Sequence, residues 1–454
     1  MKNKSKNKTT SLLLLAIAFV AVLGFALTAC EDIVDPEDQT YTVTYNGNTH
    51  TGGEVPVDSN SPYKGTSTVT VLGNGNLVKT DYTFTGWNTA ANGSGTSYAA
   101  GETFSITSNV TLYAQWVSPY VPGADLAAKL QWLKTNVKAG NTYIVRVSKD
   151  EIQEPYTFDY PDQNTNVKIT LIGTGEMREI ALSKNGRLFE IASGITLTLE
   201  ENITLKGRGG NSDTSLIVVL QGGTLIMNKN TVITQNGGAY NWCYGGAVQV
   251  QGTFTMNSGT ISNCTGNEGG GVNVRYAGSV FTMNGGTIEN CLSRDGGGIR
   301  VNDGATFNFN GGEIKNNRTD NSGGGAGVMT YGTMTMKGGT ITGNTADGPG
   351  GGVFIYNDSG TLKMTGGTIS ANSATWGGGI FTRWGTLEKT GGTVYGAGEG
   401  ENSNTARSAG TYTNGNPYGH AAGEYQYDKY RNSTHGPSDT RLYAQGSFLE
   451  GWDN

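Results

Sequence analysis

Histidine is nearly missing from this chain: only His50, His420 and His435 occur among 454 residues. They are far apart in sequence, so no zinc-ligand spacing exists, and a Ser-His-Asp device would have to use one of three scattered side chains. Cysteine is as sparse, with Cys30, Cys243, Cys264 and Cys291; the three beyond Cys30 are too few for a disulfide framework. Positive charge is in deficit. The formal net charge is −6, and without residues 1–29, which hold four lysines and no acid, 27 basic residues face 37 acidic ones, near −10. Polyanion binding driven by counterion release is disfavoured, and nucleic acid is not an expected partner. Glycine is the opposite case: 72 residues exceed twice the ordinary usage and ask for a repeat before disorder is invoked.

The first 29 residues carry Lys2, Lys4, Lys6 and Lys8, then an apolar run from Ser11 to Ala26, then Leu27-Thr28-Ala29-Cys30. A basic start, a short apolar stretch and small residues before a cysteine form an export signal, too short and wrongly flanked for a stop-transfer helix. Leu-Thr-Ala-Cys resembles the lipobox of bacterial lipoproteins. That resemblance implies a lipidated Cys30 as the first mature residue, with several acyl chains giving firm anchoring, and a place at the cell envelope, in the outer membrane or at the cell surface.

Residues 30–40 read as the lipidated cysteine and an acidic tether. Residues 41–116 form a small β-rich unit, alternating at Tyr41-Thr-Val-Thr-Tyr45 and Thr68-Val-Thr-Val-Leu72. Tyr82-Thr-Phe-Thr-Gly-Trp87-Asn-Thr, Gly93-Ser-Gly-Thr-Ser-Tyr98 and Val110-Thr-Leu-Tyr-Ala-Gln-Trp116 resemble the internalin B-repeat, or Listeria–Bacteroides repeat. The resemblance implies a β-grasp-like spacer or interaction module without catalytic residues. Trp87 and Trp116 are expected in its core. In 117–140 a Pro-rich linker leads to Leu126, Leu130, Leu133 and Val137 at helical spacing, read as a helix that caps the open end of a repetitive β region beginning near residue 141.

Glycine triplets begin at Gly269, Gly296, Gly323, Gly350 and Gly377, four steps of 27 residues. Between them, Phe254/Met256, Phe281/Met283, Phe307/Phe309, Met334/Met336 and Leu362/Met364 alternate with polar neighbours, each pair followed by Gly-Thr-Ile or Gly-Glu-Ile. Three strands per period predict stacked coils that bury these side chains as ladders about 4.8 Å apart. The expected fold is all-β: a right-handed parallel β-helix over 141–396, preceded by the small module and followed by a Tyr-rich tail or cap over 397–454. The repeat resembles β-helix lipoproteins of spirochaete-type bacteria and, more distantly, polymorphic outer-membrane proteins and the pectate lyase fold. Such likeness implies architecture, and leaves activity open.

Cys264, Cys291, Asn317, Asn344 and Asn372 share one position of the repeat and are expected to stack, the cysteines as two buried thiols or, after a small shift of their Cβ vectors, a disulfide, and the asparagines as an amide ladder. Glu268 and Asp295, each just before a triplet, form a column continued by Ser322, Pro349 and Trp376. Acids stacked on this fold could bind Ca²⁺ or act as an acid–base pair, though two turn carboxylates are ordinarily solvated. The strand after each triplet presents Arg275, Arg300, Tyr331, Phe354, Tyr356, Phe381 and Arg383 outward, with Trp384 beside them. Flat aromatic and arginine side chains suit recognition of a glycan or a surface protein, unless the tail covers them. The expected function is therefore non-catalytic binding or adhesion from a lipid anchor. A polysaccharide lyase or glycoside hydrolase using Glu268 and Asp295, and a purely structural or antigenic coat, are the alternatives.

Overall fold

The computed structural model describes residues 39–211, 214–237, 245–396 and 400–407 in full, together with the backbone of strands Ala421–Glu424 and Leu442–Ala444. The export segment, Cys30, Cys243 and most of the tail, including its closing Phe448–Trp452 segment, lie outside the described residues. The chain divides into two compact units, residues 1–119 and 120–454.

In the first unit, Val43–Asn46 pairs in parallel with Val110–Val117, which pairs antiparallel with Thr83–Asn88, and that strand with Ser97–Tyr98. No described residue of this unit is helical; a second ladder, Thr68–Thr70 antiparallel to Thr103–Ser105, brings Val69 and Phe104 to the core. Trp87 is fully buried, its indole N–H donating to Leu72 O at 2.9 Å and its ring edge-on to Tyr45. Trp116 is only partly buried, flanking that core and donating to Gly47 O at 2.9 Å.

The second unit is a parallel β-helix. Its helix, Leu126–Asn136, is capped by Asp125, whose carboxylate accepts from Ala128 N at 2.8 Å. Leu126, Leu130 and Leu133 enter the solenoid core beside Tyr143, Val145 and Phe158. Tyr156 donates its hydroxyl to Leu130 O, and Lys129 Nζ to Arg146 O. The helix therefore seals the first coil, as a cap must to hide an unpaired hydrophobic end.

Every coil adds three main strands in register with the coil before it. On the first sheet, Phe254 sits on Phe281, Phe307, Met334 and Leu362 in turn, all without solvent exposure. Phe254–Phe281 and Phe281–Phe307 stack at 4.7 and 5.0 Å with rings nearly parallel. Each such side chain gains roughly 1.5–3 kcal/mol from burial. The second sheet stacks Ile261, Ile288, Ile314, Ile341 and Ile369. Between these two sheets the chain turns at a glycine column; Gly286 has φ +87°, and a Cβ there would lie 2.6 Å from Gly259 O. The third sheet runs from Tyr156–Phe158 to Ile380–Arg383 and then Ala421–Glu424.

Two details depart from the repeat as read in sequence. The left-handed glycine that opens each triplet is Gly269, Gly296, Gly325, Gly350 and Gly377, so the third coil is aligned on Gly325-Ala326-Gly327 rather than on Gly323. Gly296 N donates to Gly324 O and Gly298 N to Ala326 O, and the segment from Thr319 to Gly325 is three residues longer than its counterpart from Ser293 to Gly296. Strict 27-residue spacing of the letters GGG thus conceals coils of unequal length. A short fourth sheet, Thr265–Glu268, Leu292–Asp295 and Arg318–Thr319, also lies between the asparagine turn and the triplet.

The stacked turn holds as an amide ladder. Asn317, Asn344, Asn372 and Asn404 each donate Nδ2 to the isoleucine carbonyl of the previous coil at 2.9 Å. Their Oδ1 atoms accept from the neighbouring coil: Asn344 from Asn317, Asn372 from Asn344 and Asn404 from Asn372. Below the ladder Cys264 and Cys291 are buried free thiols, and Asn317 Oδ1 accepts from Cys291 N at 3.0 Å.

Candidate functional site

The outward column of the third sheet runs Gln249, Asn273, Arg300, Met329, Phe354 and Phe381. Two residues along each later strand lie Tyr331, Tyr356 and Arg383. Alternation alone makes this an exposed stripe; in the structure Met329, Phe354 and Phe381 are only 3%, 4% and 6% exposed. Contact among the rings and the segments leading into each triplet account for the burial. Gly324 comes so close to the stripe that a Cβ on it would lie 2.5 Å from Phe354 Cδ1. Phe354 meets Phe381 and Tyr356 edge-on at 5.4 Å, and Tyr331 meets Tyr356 at 5.0 Å.

What remains open is a groove of about 380 Å³, lined by Asp295, Ser322, Gly324, Met329, Tyr331, Pro349, Phe354, Tyr356, Trp376, Phe381 and Arg383. This volume falls in the range of small-ligand sites. Trp376 is the aromatic lining residue that sequence reading does not assign to binding. Its signal is nonetheless present, because Trp376 ends the column that begins with Glu268 and Asp295, and Pro349 pairs directly with it.

At one end of the groove the acids meet an arginine. Glu268 and Asp295 are paired in register, and Arg300 Nη1 lies 3.2 Å from Glu268 Oε1 and 3.4 Å from Asp295 Oδ2. Arg300 Nε donates to Asn302 Oδ1 at 3.0 Å, and its guanidinium lies over the Tyr331 ring. Asn302 in turn donates to Asn273 Oδ1 at 2.8 Å, and Asn273 to Glu268 Oε2 at 3.5 Å. Burial pushes the Tyr331 hydroxyl up to about 12, with Arg300 pulling down and Asp295 pushing up. At the other end Arg383 stacks on Tyr356 and Trp384. Trp384 has a left-handed φ of 67°, a costly backbone for a bulky residue, and its indole packs on Tyr356 at 5.9 Å.

Thus Tyr331, Phe354, Tyr356, Phe381, Arg383 and Asp295 share one groove, with Arg300 and Glu268 behind its wall and Trp384 at its rim. Arg275 stands apart: it donates to Gln249 Oε1 at 3.3 Å and lies over Tyr276. Ser322 does line the groove but leaves the acid column, because Gly324 occupies that register. Both acids face the one guanidinium. Among the described residues no group of three or more His, Cys, Asp or Glu side chains is placed to hold a metal ion.

Two relatives each align with a small part of the chain. A protein of Evansella cellulosilytica provisionally named a Gly-rich membrane protein is 47% identical over 77 residues, 17% of this chain and 9% of that protein. A second protein of the same organism, provisionally named a membrane protein, is 44% identical over 79 residues, 17% of this chain and 12% of its own. The chain thus spans about a tenth of the length of these relatives. No solved structure matches it. Residues 41–115 match the Listeria-Bacteroides repeat domain family, so the first unit carries this repeat.

Proposed function

We propose that the protein is a lipid-anchored component of the bacterial cell envelope, held through Cys30, whose β-helix binds a ligand in the aromatic groove without cleaving it. The groove carries this reading: five aromatic side chains, Tyr331, Phe354, Tyr356, Trp376 and Phe381, converge on one cavity of about 380 Å³ with polar groups at its ends. Membrane assignments in the names of both relatives support an envelope location. The 41–116 repeat serves as a spacer between anchor and β-helix.

Binding is favoured over hydrolysis or lyase chemistry by the state of the two acids. An acid and base pair must both reach the bound substrate, whereas Glu268 and Asp295 are both ion-paired to Arg300 and Asp295 alone of the two lines the groove. The test is direct. Glycans and surface proteins of the native environment are presented to the full chain and to a Tyr356→Ala, Phe381→Ala, Trp384→Ala triple variant. Loss of all retention in the triple variant is expected; equal retention by both proteins overturns the groove assignment.

A further inference from the structure

We infer that the groove takes an uncharged sugar ring of a glycan chain, its C–H face on the Tyr356 and Trp376 side chains and its hydroxyls donating to the Asp295 carboxylate. This rests on the groove being the binding site and names its occupant.

Three observations select that chemistry. The first is amphipathic pairing within one cavity: ring faces and a fixed carboxylate line the same groove. A pyranose presents an apolar C–H face and a belt of hydroxyl donors, and aromatic faces satisfy the first as a carboxylate oxygen does the second. Secondly, the charge is balanced. Glu268 and Asp295 stand against Arg300 and Arg383, so the local sum is zero and no net field favours an anionic polymer. Thirdly, the backbone of the floor is committed. The strands through Met329, Phe354 and Phe381 pair on both sides, which leaves no sheet edge for an extended peptide to join, the usual route by which main-chain hydrogen bonds give peptide affinity.

Arg300 is then a positioning residue. It holds Asp295 from behind, with Nε committed to Asn302 and its plane against Tyr331, so the carboxylate meets a hydroxyl in a set orientation. By its place in the repeat Asp295 is a candidate acid. Its place in the groove that Trp376 also lines instead makes it an acceptor for hydroxyl groups.

Isothermal titration of the full chain with neutral hexasaccharides in gluco, manno, galacto and xylo configuration tests this, with oligogalacturonate and an unstructured Pro-rich peptide as the other arms. The expected result is binding of at least one neutral hexasaccharide. Affinity should fall by about tenfold or more in Trp376→Ala and in Asp295→Asn, a loss equivalent to one good contact, and should largely return in Trp376→Phe. Arg300→Lys should weaken binding while leaving the change in tryptophan emission on saturation intact. Binding of oligogalacturonate or peptide alone, sensitive to Tyr356→Ala, overturns the sugar and leaves the groove standing as a binding site. Neutral sugar binding indifferent to both Trp376→Ala and Tyr356→Ala overturns the groove itself, and no binding in any arm overturns the inference.

Discussion

The Arg300 guanidinium lies over the ring of Tyr331, 4.7 Å from its centroid, and this contact joins the two halves of the site. On one side Arg300 gathers Glu268 and Asp295; on the other Tyr331 begins the run of rings that ends at Phe381 and Trp376. An arginine is suited to the task because its plane stacks while its edges still donate, which a lysine cannot reproduce.

Removing that arginine should expose the acids to each other. Arg300→Met is expected to lower stability by about 1–2 kcal/mol at neutral pH, a value reduced from that of fully buried pairs because all three side chains retain some solvent contact. The loss should shrink as salt concentration rises, because salt screens both the ion pairs of the native protein and the repulsion between the acids left behind. Urea unfolding at several salt concentrations reads this, and a loss independent of salt would show that packing on Tyr331 dominates.

Tyr331 provides a pH signature. Burial raises its hydroxyl from 10.0 to about 12, so the folded state favours the protonated form. Its contribution to stability is whole below pH 10 and is lost as pH rises from about 10 to about 12, because the unfolded chain releases the proton first. Comparing melting temperatures of the native protein and Tyr331→Phe across this window should show the native protein losing more stability.

Gly324 is predicted to be required by Phe354. Gly324→Ala places a methyl 2.5 Å from Phe354 Cδ1 and 2.7 Å from Pro349 O; overpacking of this kind costs about 1–3 kcal/mol. Phe354→Leu should recover part of it. A double-mutant cycle measures the coupling, and additive effects would mean the two residues do not meet.

How much of this can be read in the letters depends on what the letters repeat. The Phe/Met and Ile ladders are legible because a core position tolerates only a few side chains and recurs in every coil. The asparagine column is legible for the same reason, although Asn404 is not, since it lies past the last triplet. The groove is legible only in part. Phe354 and Phe381 have the right alternation, but alternation shows which side of the sheet they occupy and not what lies above it. What lies near them includes Ser322, Gly324 and Trp376, whose placement depends on coil length. The longer segment from Thr319 to Gly325 explains why counting 27 from Gly296 misplaces the third coil by two residues.

The ladder gives its own prediction. Asn344→Ala removes acceptors and donors used by Asn317, Ile314 and Asn372 in the dry interior, and should destabilise the β-helix by about 2–4 kcal/mol, since each stranded partner bears its desolvation cost. Hydrogen exchange should show amides of the coils around 317–372 opening first. Exchange unchanged from the native protein would mean that the ladder carries little of the stability.

Whether the groove binds its ligand or cleaves it is decided by one measurement. The protein is incubated with neutral polysaccharides, and both retention and the appearance of new chain ends are recorded. Retention without new ends, abolished in the Tyr356→Ala, Phe381→Ala, Trp384→Ala triple variant, is the result expected of a binding groove; new chain ends that vanish in Glu268→Ala would contradict it.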